Sequence, residues 1–237
     1  MKVVVFSDID DTLIAAKSAC PNDAVLQPAG ERSSSYTTQH QRSLIELFSA
    51  HELIPVTGRN KAGLDRINIP FKSFKVVSHG AVVLDANDEL LPDWVKYIQE
   101  LSQLWLPILN QYNADINAFI DQERLSVRCR VISDFGFPCY LSIKGEVGDL
   151  SRLDNFSSSF CALGDNARVH LNGGNMALLP PYACKKLAVE FLQKQYLAAE
   201  EGVLFLAAGD SCSDLPYMNS CDFSLIPQRS QITQERL

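Results

Sequence analysis

The stretch Lys2-Val3-Val4-Val5-Phe6-Ser7-Asp8-Ile9-Asp10-Asp11-Thr12-Leu13 decides how the chain is read. A short β-branched, apolar run ends in polar residues. It predicts a strand buried on both faces, the kind found in parallel sheets. Residues two apart on extended backbone point the same way. Asp8 and Asp10 therefore converge at the strand's carboxyl end, the edge where open α/β sheets bind ligands. Two carboxylates at close range cannot both ionise cheaply, so either a cation sits between them or one keeps a proton. A calcium loop does not fit. An EF-hand needs Gly at its sixth position, here Leu13, and Glu at its twelfth, here Ala19.

Working outward, residues 21–38 are rich in Ser, Pro, Gly and Thr and predict a long flexible loop. Residues 41–51 and 61–67 carry helical spacing, while 53–56 and 75–78 are further short strands. This alternation predicts a doubly wound, Rossmann-like α/β sheet. The pattern then changes. Residues 93–112 form one amphipathic helix, with Pro107 a candidate kink. Strands at 125–132 and 139–144, a helix at 147–156, and strands at 168–172 and 176–179 follow. Helix-strand-strand, repeated, predicts an inserted α+β domain over 85–180. The α/β pattern resumes with a helix at 184–196, a strand at 203–208, a short helix at 213–218 and a last strand at 223–226. The core is thus 1–84 with 181–237, and the tail from Gln228 reads as frayed.

Three more motifs sit at element ends. Gly209-Asp210-Ser211-Cys212-Ser213-Asp214 places a second acidic pair after a buried strand. Asp214 alone would suit a helix N-terminus. With Asp8 and Asp10 it instead makes the clustered oxygen ligands that hard cations require. Thr57-Gly58-Arg59 ends another strand, and its hydroxyl and N–H groups can hydrogen-bond phosphoryl oxygens. Lys185 and Lys186 open a helix, where a cation opposes the dipole, so one of them is expected to have another purpose.

Composition narrows the partners. With 46% apolar and 21% charged residues the chain is globular rather than disordered. A net charge of -7 and the lack of a Lys/Arg block disfavour nucleic-acid binding. An anionic ligand then needs a local cation or well-placed Lys/Arg. The seven cysteines are odd in number and include no CxxC pair, which argues against a disulfide framework or zinc ribbon and predicts a reducing, cytoplasmic setting. Cys212 receives no role. No stretch reads as a secretory signal or membrane span. A kinase is disfavoured because neither GxxxxGK[ST] nor GxGxxG occurs. Oligomeric state is not readable.

In this order, DxDx[TV], Thr, Lys and an acidic pair resemble the haloacid dehalogenase superfamily of aspartate-nucleophile phosphatases. The insert matches the class IIB cap position of Cof-type and sucrose-phosphate-phosphatase-like members. Ser78-His79-Gly80-Ala81 resembles the Asn-Gly-Ala segment leading into such caps, with His79 replacing Asn. The resemblance implies Mg²⁺-dependent hydrolysis of a small phosphorylated metabolite, such as a sugar phosphate. Asp8 would be the nucleophile and Asp10 the general acid/base, protonated at the outset. Thr57, Gly58 and Lys185 would cradle phosphate. Asp8, the Asp10 carbonyl, Asp210 and Asp214 would hold the metal. Lys185 fits the family's lysine better than Lys186. Substrate-contact candidates are Arg59, His79, Arg128 and Arg130, then Lys144, His170, Asn172 and Asn175, with the cap excluding water. Two other functions stay open. A phosphomutase or phosphotransferase would need a second anion site, which Arg128 and Arg130 could supply. A non-catalytic metal- or metabolite-binding protein would keep the same fold.

Overall fold

The computed structural model describes residues 1–235 and falls into two compact units, Met1–Leu91 with Lys185–Leu237, and Pro92–Cys184. The changeover comes at Pro92 and Cys184. Residues 85–91 therefore belong with the first unit and 181–184 with the second, unlike the boundaries expected from sequence.

The first unit starts with strand β1 (Lys2–Ser7). Strands β2 (Ala15–Ala16), β3 (Gln27–Pro28) and β4 (Ser35–Thr37) then form a small antiparallel sheet in the order β2-β4-β3. The expected flexible loop over 21–38 is thus partly structured. Ser35 and Thr37 are buried, and pairing to Ala16 and Gln27 satisfies backbone that composition alone assigns to a loop. Helix α1 (Gln39–Ser49) begins at a capping box between Thr38 and Gln41. Strand β5 (Glu52–Pro55), helix α2 (Lys61–Leu64), and strands β6 (Lys75–Val77) and β7 (Val82–Leu84) follow.

The second unit opens with α3 (Pro92–Glu123), which runs well past the expected end at residue 112, with Pro107 inside it. Leu109, Ile116 and Ile120 keep helical spacing beyond the proline and are buried, so the apolar stripe carries the helix on. Strands β8 (Val127–Asp134) and β9 (Phe137–Gly145) come next. The single helix expected at 147–156 is two, α4 (Val147–Ser151) and α5 (Asp154–Cys161). Strands β10 (Arg168–Asn172) and β11 (Asn175–Leu179) complete an antiparallel sheet in the order β10-β11-β9-β8. The buried core of this unit joins Leu109 and Ile116 of α3 and Phe160 of α5 to Cys129, Leu141, Ile143, Met176 and Leu178 of the sheet. The helices therefore cover one sheet face.

The first unit resumes with α6 (Lys185–Ala199), β12 (Val203–Ala208), α7 (Leu215–Met218), β13 (Phe223–Leu225) and α8 (Gln231–Glu235). Its main sheet has the order β13-β12-β1-β5 with every pairing parallel. A parallel bridge from Val56 to Val76 sets β6 beyond β5. Val4, Val5, Phe6, Ile54 and Ala207 are almost fully buried, as expected for strands covered on both faces. The tail is not wholly frayed. Ile232 is buried, and its N–H donates to the Asp210 carbonyl at 3.0 Å. Among the described residues, no helix is long and apolar enough to cross a membrane.

Candidate active site

Parallel pairing brings three motifs to one sheet edge. Ser7 is registered with both Ala208 and Pro55, so the residues that follow β1, β12 and β5 emerge side by side. The Asp8 N–H donates to the Ala208 carbonyl at 2.8 Å. The chain then turns. Asp11 is left-handed (φ 60°), and the N–H groups of Leu13 and Ile14 both return to the Ile9 carbonyl.

Asp8, Asp210 and Asp214 are buried, and one carboxylate oxygen from each lies within 4.8 Å of the others. Lys185, at the start of α6, enters this group. Its Nζ donates to Asp8 Oδ1 at 2.6 Å and to Asp214 Oδ1 at 2.7 Å. Lys186 points elsewhere and pairs with Glu190 one turn on. Asp214 Oδ2 accepts from the Ser211 N–H and hydroxyl, and Thr12 Oγ1 donates to Asp210 Oδ1. Gly209 leaves the space. A Cβ there would lie 2.7 Å from that of Asp214.

Three carboxylates and one ammonium leave the cluster short of positive charge. Burial raises the Asp8 carboxyl well above its usual range. Lys185 opposes that rise, while Asp214 and Asp210 add to it. Burial, then Asp214 and Asp11, push Asp210 up to about 7. Burial alone would lower Lys185, but Asp214 and Asp8 outweigh it and raise the ammonium above its ordinary value. A divalent cation relieves this kind of repulsion, and the all-oxygen donor set fits Mg²⁺.

Asp10 stands apart from that trio. Its side chain is about half exposed and pairs with Arg59 through both oxygens, at 2.7 and 2.6 Å. Thr57 is buried two residues beyond β5, and its hydroxyl accepts from the Arg59 N–H at 3.1 Å. The turn Ser78-His79-Gly80 has three successive left-handed residues (φ 52°, 58° and 93°). It docks on this loop, with the Ser78 N–H donating to the Arg59 carbonyl and the His79 N–H to that of Thr57. The His79 ring lies against Gly58, where a Cβ would come within 2.5 Å of it. Arg128 and Arg130 belong to β8 of the second unit.

Sequence reasoning left out Tyr217. It is fully buried, donates from its hydroxyl to the Ala208 carbonyl at 2.6 Å and accepts from the Asp8 N–H at 3.2 Å. It thereby ties the ends of β1 and β12 together. No sequence motif marks it. Ser211 and Thr12 lie inside the quoted motifs and were legible only as neighbours of the acids.

Neither a family model nor a curated protein matches the chain. Solved structures do. A sucrose-phosphatase from Synechocystis, determined with sucrose and phosphate, is 18% identical, with a TM-score of 0.59 over 100% of this chain and 87% of that one. The C-terminal domain of the C. albicans trehalose-6-phosphate phosphatase is 13% identical, with a TM-score of 0.62 over 92% and 73%. A haloacid dehalogenase-like hydrolase from B. subtilis is 14% identical, with a TM-score of 0.55 over 95% of each chain. At such identities the likeness speaks to architecture, and by that measure the chain has the haloacid dehalogenase-like fold, a Rossmann-like parallel sheet with an inserted α+β unit.

Proposed function

We propose that the chain is a Mg²⁺-dependent phosphoric monoester hydrolase acting on a small phosphorylated metabolite, most simply a phosphorylated sugar, through an aspartyl-phosphate on Asp8. The observation that carries this reading is Asp8 itself, a buried carboxylate at the carboxyl end of β1, held by Lys185 beside Asp210 and Asp214. The fold supports it, since two of the similar structures are phosphatases named for sucrose and trehalose 6-phosphate.

Asp8 attacks phosphorus in line; its new O–P bond forms as the ester O–P bond breaks. Asp10 gives a proton to the departing alkoxide and later takes one from the water that cleaves the aspartyl-phosphate. In the fork both Asp10 oxygens accept from Arg59, so one of these bonds must open and the freed oxygen take a proton from solvent before Asp10 can act as the acid. Lys185, the Thr57 hydroxyl and the Gly58 N–H hold the phosphoryl oxygens. Asp8, the Asp10 carbonyl, Asp210 and Asp214 would hold Mg²⁺, which supplies charge neutralisation between nucleophile and phosphate. Arg59 and His79 are the substrate contacts nearest this chemistry, and the inserted unit is the cap that selects substrate.

The test is phosphate release from a panel of sugar, nucleotide and polyol phosphates, with Mg²⁺ or EDTA, for wild type and Asp8→Asn. Release that needs Mg²⁺ and vanishes in Asp8→Asn is expected. Equal release from the two proteins, or none from either, would overturn the reading.

A further inference from the structure

Lys185 bridges the Asp8 and Asp214 carboxylates. A second link joins the same two residues through their backbones, and it runs through Tyr217. The tyrosine lies three residues beyond Asp214 in α7, and its N–H donates to the Asp214 carbonyl at 3.1 Å. Its hydroxyl accepts from the Asp8 N–H at 3.2 Å and donates to the Ala208 carbonyl at 2.6 Å. Asp8, Lys185, Asp214 and Tyr217 thus close a ring of contacts, side chains on one half and main chain on the other. The other end of residue 8 is held too, because the Ser7 hydroxyl donates to the Asp8 carbonyl at 2.8 Å.

The backbone does not need this hydroxyl. The Asp8 N–H and the Ala208 carbonyl already bond each other at 2.8 Å, so neither would be orphaned without it. Packing does not ask for it either. Phenylalanine fills the same space, and burying a phenolic O–H carries a desolvation cost that a plain ring avoids. The two links also differ in kind. Lys185 holds by charge, so a cation on the same oxygens repels it. Tyr217 is neutral, since burial, then Asp214 and Asp8, hold its phenol well above the ordinary value. Its bonds go to backbone groups, whose placement does not follow the charge state of the carboxylates.

We propose that Tyr217 is a positioning residue that sets the spacing between the Asp8 and Asp214 carboxylates, and with it the shape of the cation site. This deepens the hydrolase reading, on which it rests for one consequence: the same spacing aims Asp8 at the phosphoryl group.

Tyr217→Phe keeps the ring and removes only the hydroxyl. Tyr196→Phe is the control, removing another buried hydroxyl of the same unit that lies 3.1 Å from that of Ser73 and outside the acidic cluster. Mg²⁺ affinity is measured by calorimetry on both variants and on wild type, without substrate. Binding about 10–100-fold weaker is expected for Tyr217→Phe, the range for outer partners of metal ligands, with wild-type binding for Tyr196→Phe. On a sugar phosphate at saturating Mg²⁺, Tyr217→Phe should lower kcat and keep KM, because its hydroxyl bonds to the backbone of Asp8 and Ala208 rather than to the phosphate cradle. Equal Mg²⁺ affinities for the two variants would overturn the proposal, whatever their unfolding midpoints, as would a wild type that binds no Mg²⁺. Absence of phosphate release from a wild type that does bind Mg²⁺ would instead sink the hydrolase reading, because the binding comparison needs no turnover.

Discussion

Arg59 closes a fork on Asp10, its Nε donating to Oδ2 at 2.7 Å and its Nη2 to Oδ1 at 2.6 Å. The same guanidinium donates to the Gly63 carbonyl and the Ser35 hydroxyl, so it links the loops after β1 and β5 to the small β2-β4-β3 sheet. Family resemblance leads one to expect a protonated Asp10 at the outset; here both of its oxygens accept from Arg59. In the proposed mechanism, proton transfer would therefore begin with partial release of the fork. Lysine cannot reproduce a two-pronged contact. Arg59 is also a proposed substrate contact, so Arg59→Lys is expected to lower kcat/KM for a sugar phosphate at least about tenfold, the cost of one charge-assisted hydrogen bond to substrate. Activity equal to or above that of wild type would show that the fork only restrains Asp10 and that Arg59 does not hold substrate.

Asp10→Asn separates proton transfer from positioning. A sugar alkoxide needs a proton to leave, whereas p-nitrophenolate does not. The variant should lose about 10²–10⁴-fold in kcat on a sugar phosphate and far less on p-nitrophenyl phosphate. Parallel losses on the two substrates would remove Asp10 from the proton-transfer role.

Lys185 is the cluster's internal counter-charge, 10% exposed and shared by Asp8 and Asp214. Lys185→Met leaves those buried carboxylates uncompensated. Breaking a buried pair from one side costs about 3–5 kcal/mol, measurable as a shift in urea unfolding without added metal. Asp8→Asn should act in the opposite sense, because it removes a carboxylate that Asp210 and Asp214 repel. Its metal-free unfolding midpoint is expected to rise above that of wild type while activity disappears. A drop would mean that the Lys185–Asp8 contact outweighs the repulsion.

The core was legible because parallel strands announce themselves. The run Val3 to Phe6 and the strand Val203–Ala208 need burial on both faces and so carry unbroken apolar sequence. The acids are legible for a related reason, since Asp8 and Asp210 each follow those runs after a single residue. Tertiary pairing is less visible. Ser35, Tyr36 and Thr37 look like linker residues until Ala15 and Gln27 pair with them. The fork on Asp10 depends on a side-chain direction that spacing does not encode. Tyr217 matters only because a fully buried hydroxyl must find partners, and its partners are backbone groups at two strand ends.

The charge imbalance gives the site a pH signature. Asp210 titrates near 7 in the folded protein against an ordinary value of 3.8. Between those values the native state holds a proton that the unfolded chain has lost. This group's contribution to metal-free stability thus falls as pH rises from about 4 to about 7, and the cost is complete above that. Mg²⁺ requires the ionised form, so binding expels the proton. Asp8, a second proposed ligand, is also raised well above its usual range, so apparent Mg²⁺ affinity should strengthen by at least about tenfold between pH 6 and pH 8, with proton release detectable by calorimetry in buffers of different ionisation enthalpy. The Mg²⁺-induced gain in Tm should be larger at pH 8 than at pH 6. A pH-independent affinity would show that the acids are already ionised without metal.

Gly209 gives a test aimed at geometry alone, because the substitution adds no charge and removes no donor. A Cβ at this position would lie 2.7 Å from the Asp214 Cβ and 2.9 Å from Met218 Sδ. The methionine can swing aside, but Asp214 is held by Ser211, Lys185 and the turn into α7. Gly209→Ala must therefore push the Asp214 carboxylate out of line with Asp8 and Asp210. Disturbing the support of a metal ligand typically costs about 10–100-fold in affinity. Mg²⁺ binding followed by thermal shift should weaken by that amount, and saturating Mg²⁺ should recover much of the activity, since no reacting group has been lost. If Gly209→Ala binds Mg²⁺ as wild type does, Asp214 is not a ligand, and the metal rests on Asp8 and Asp210 without it.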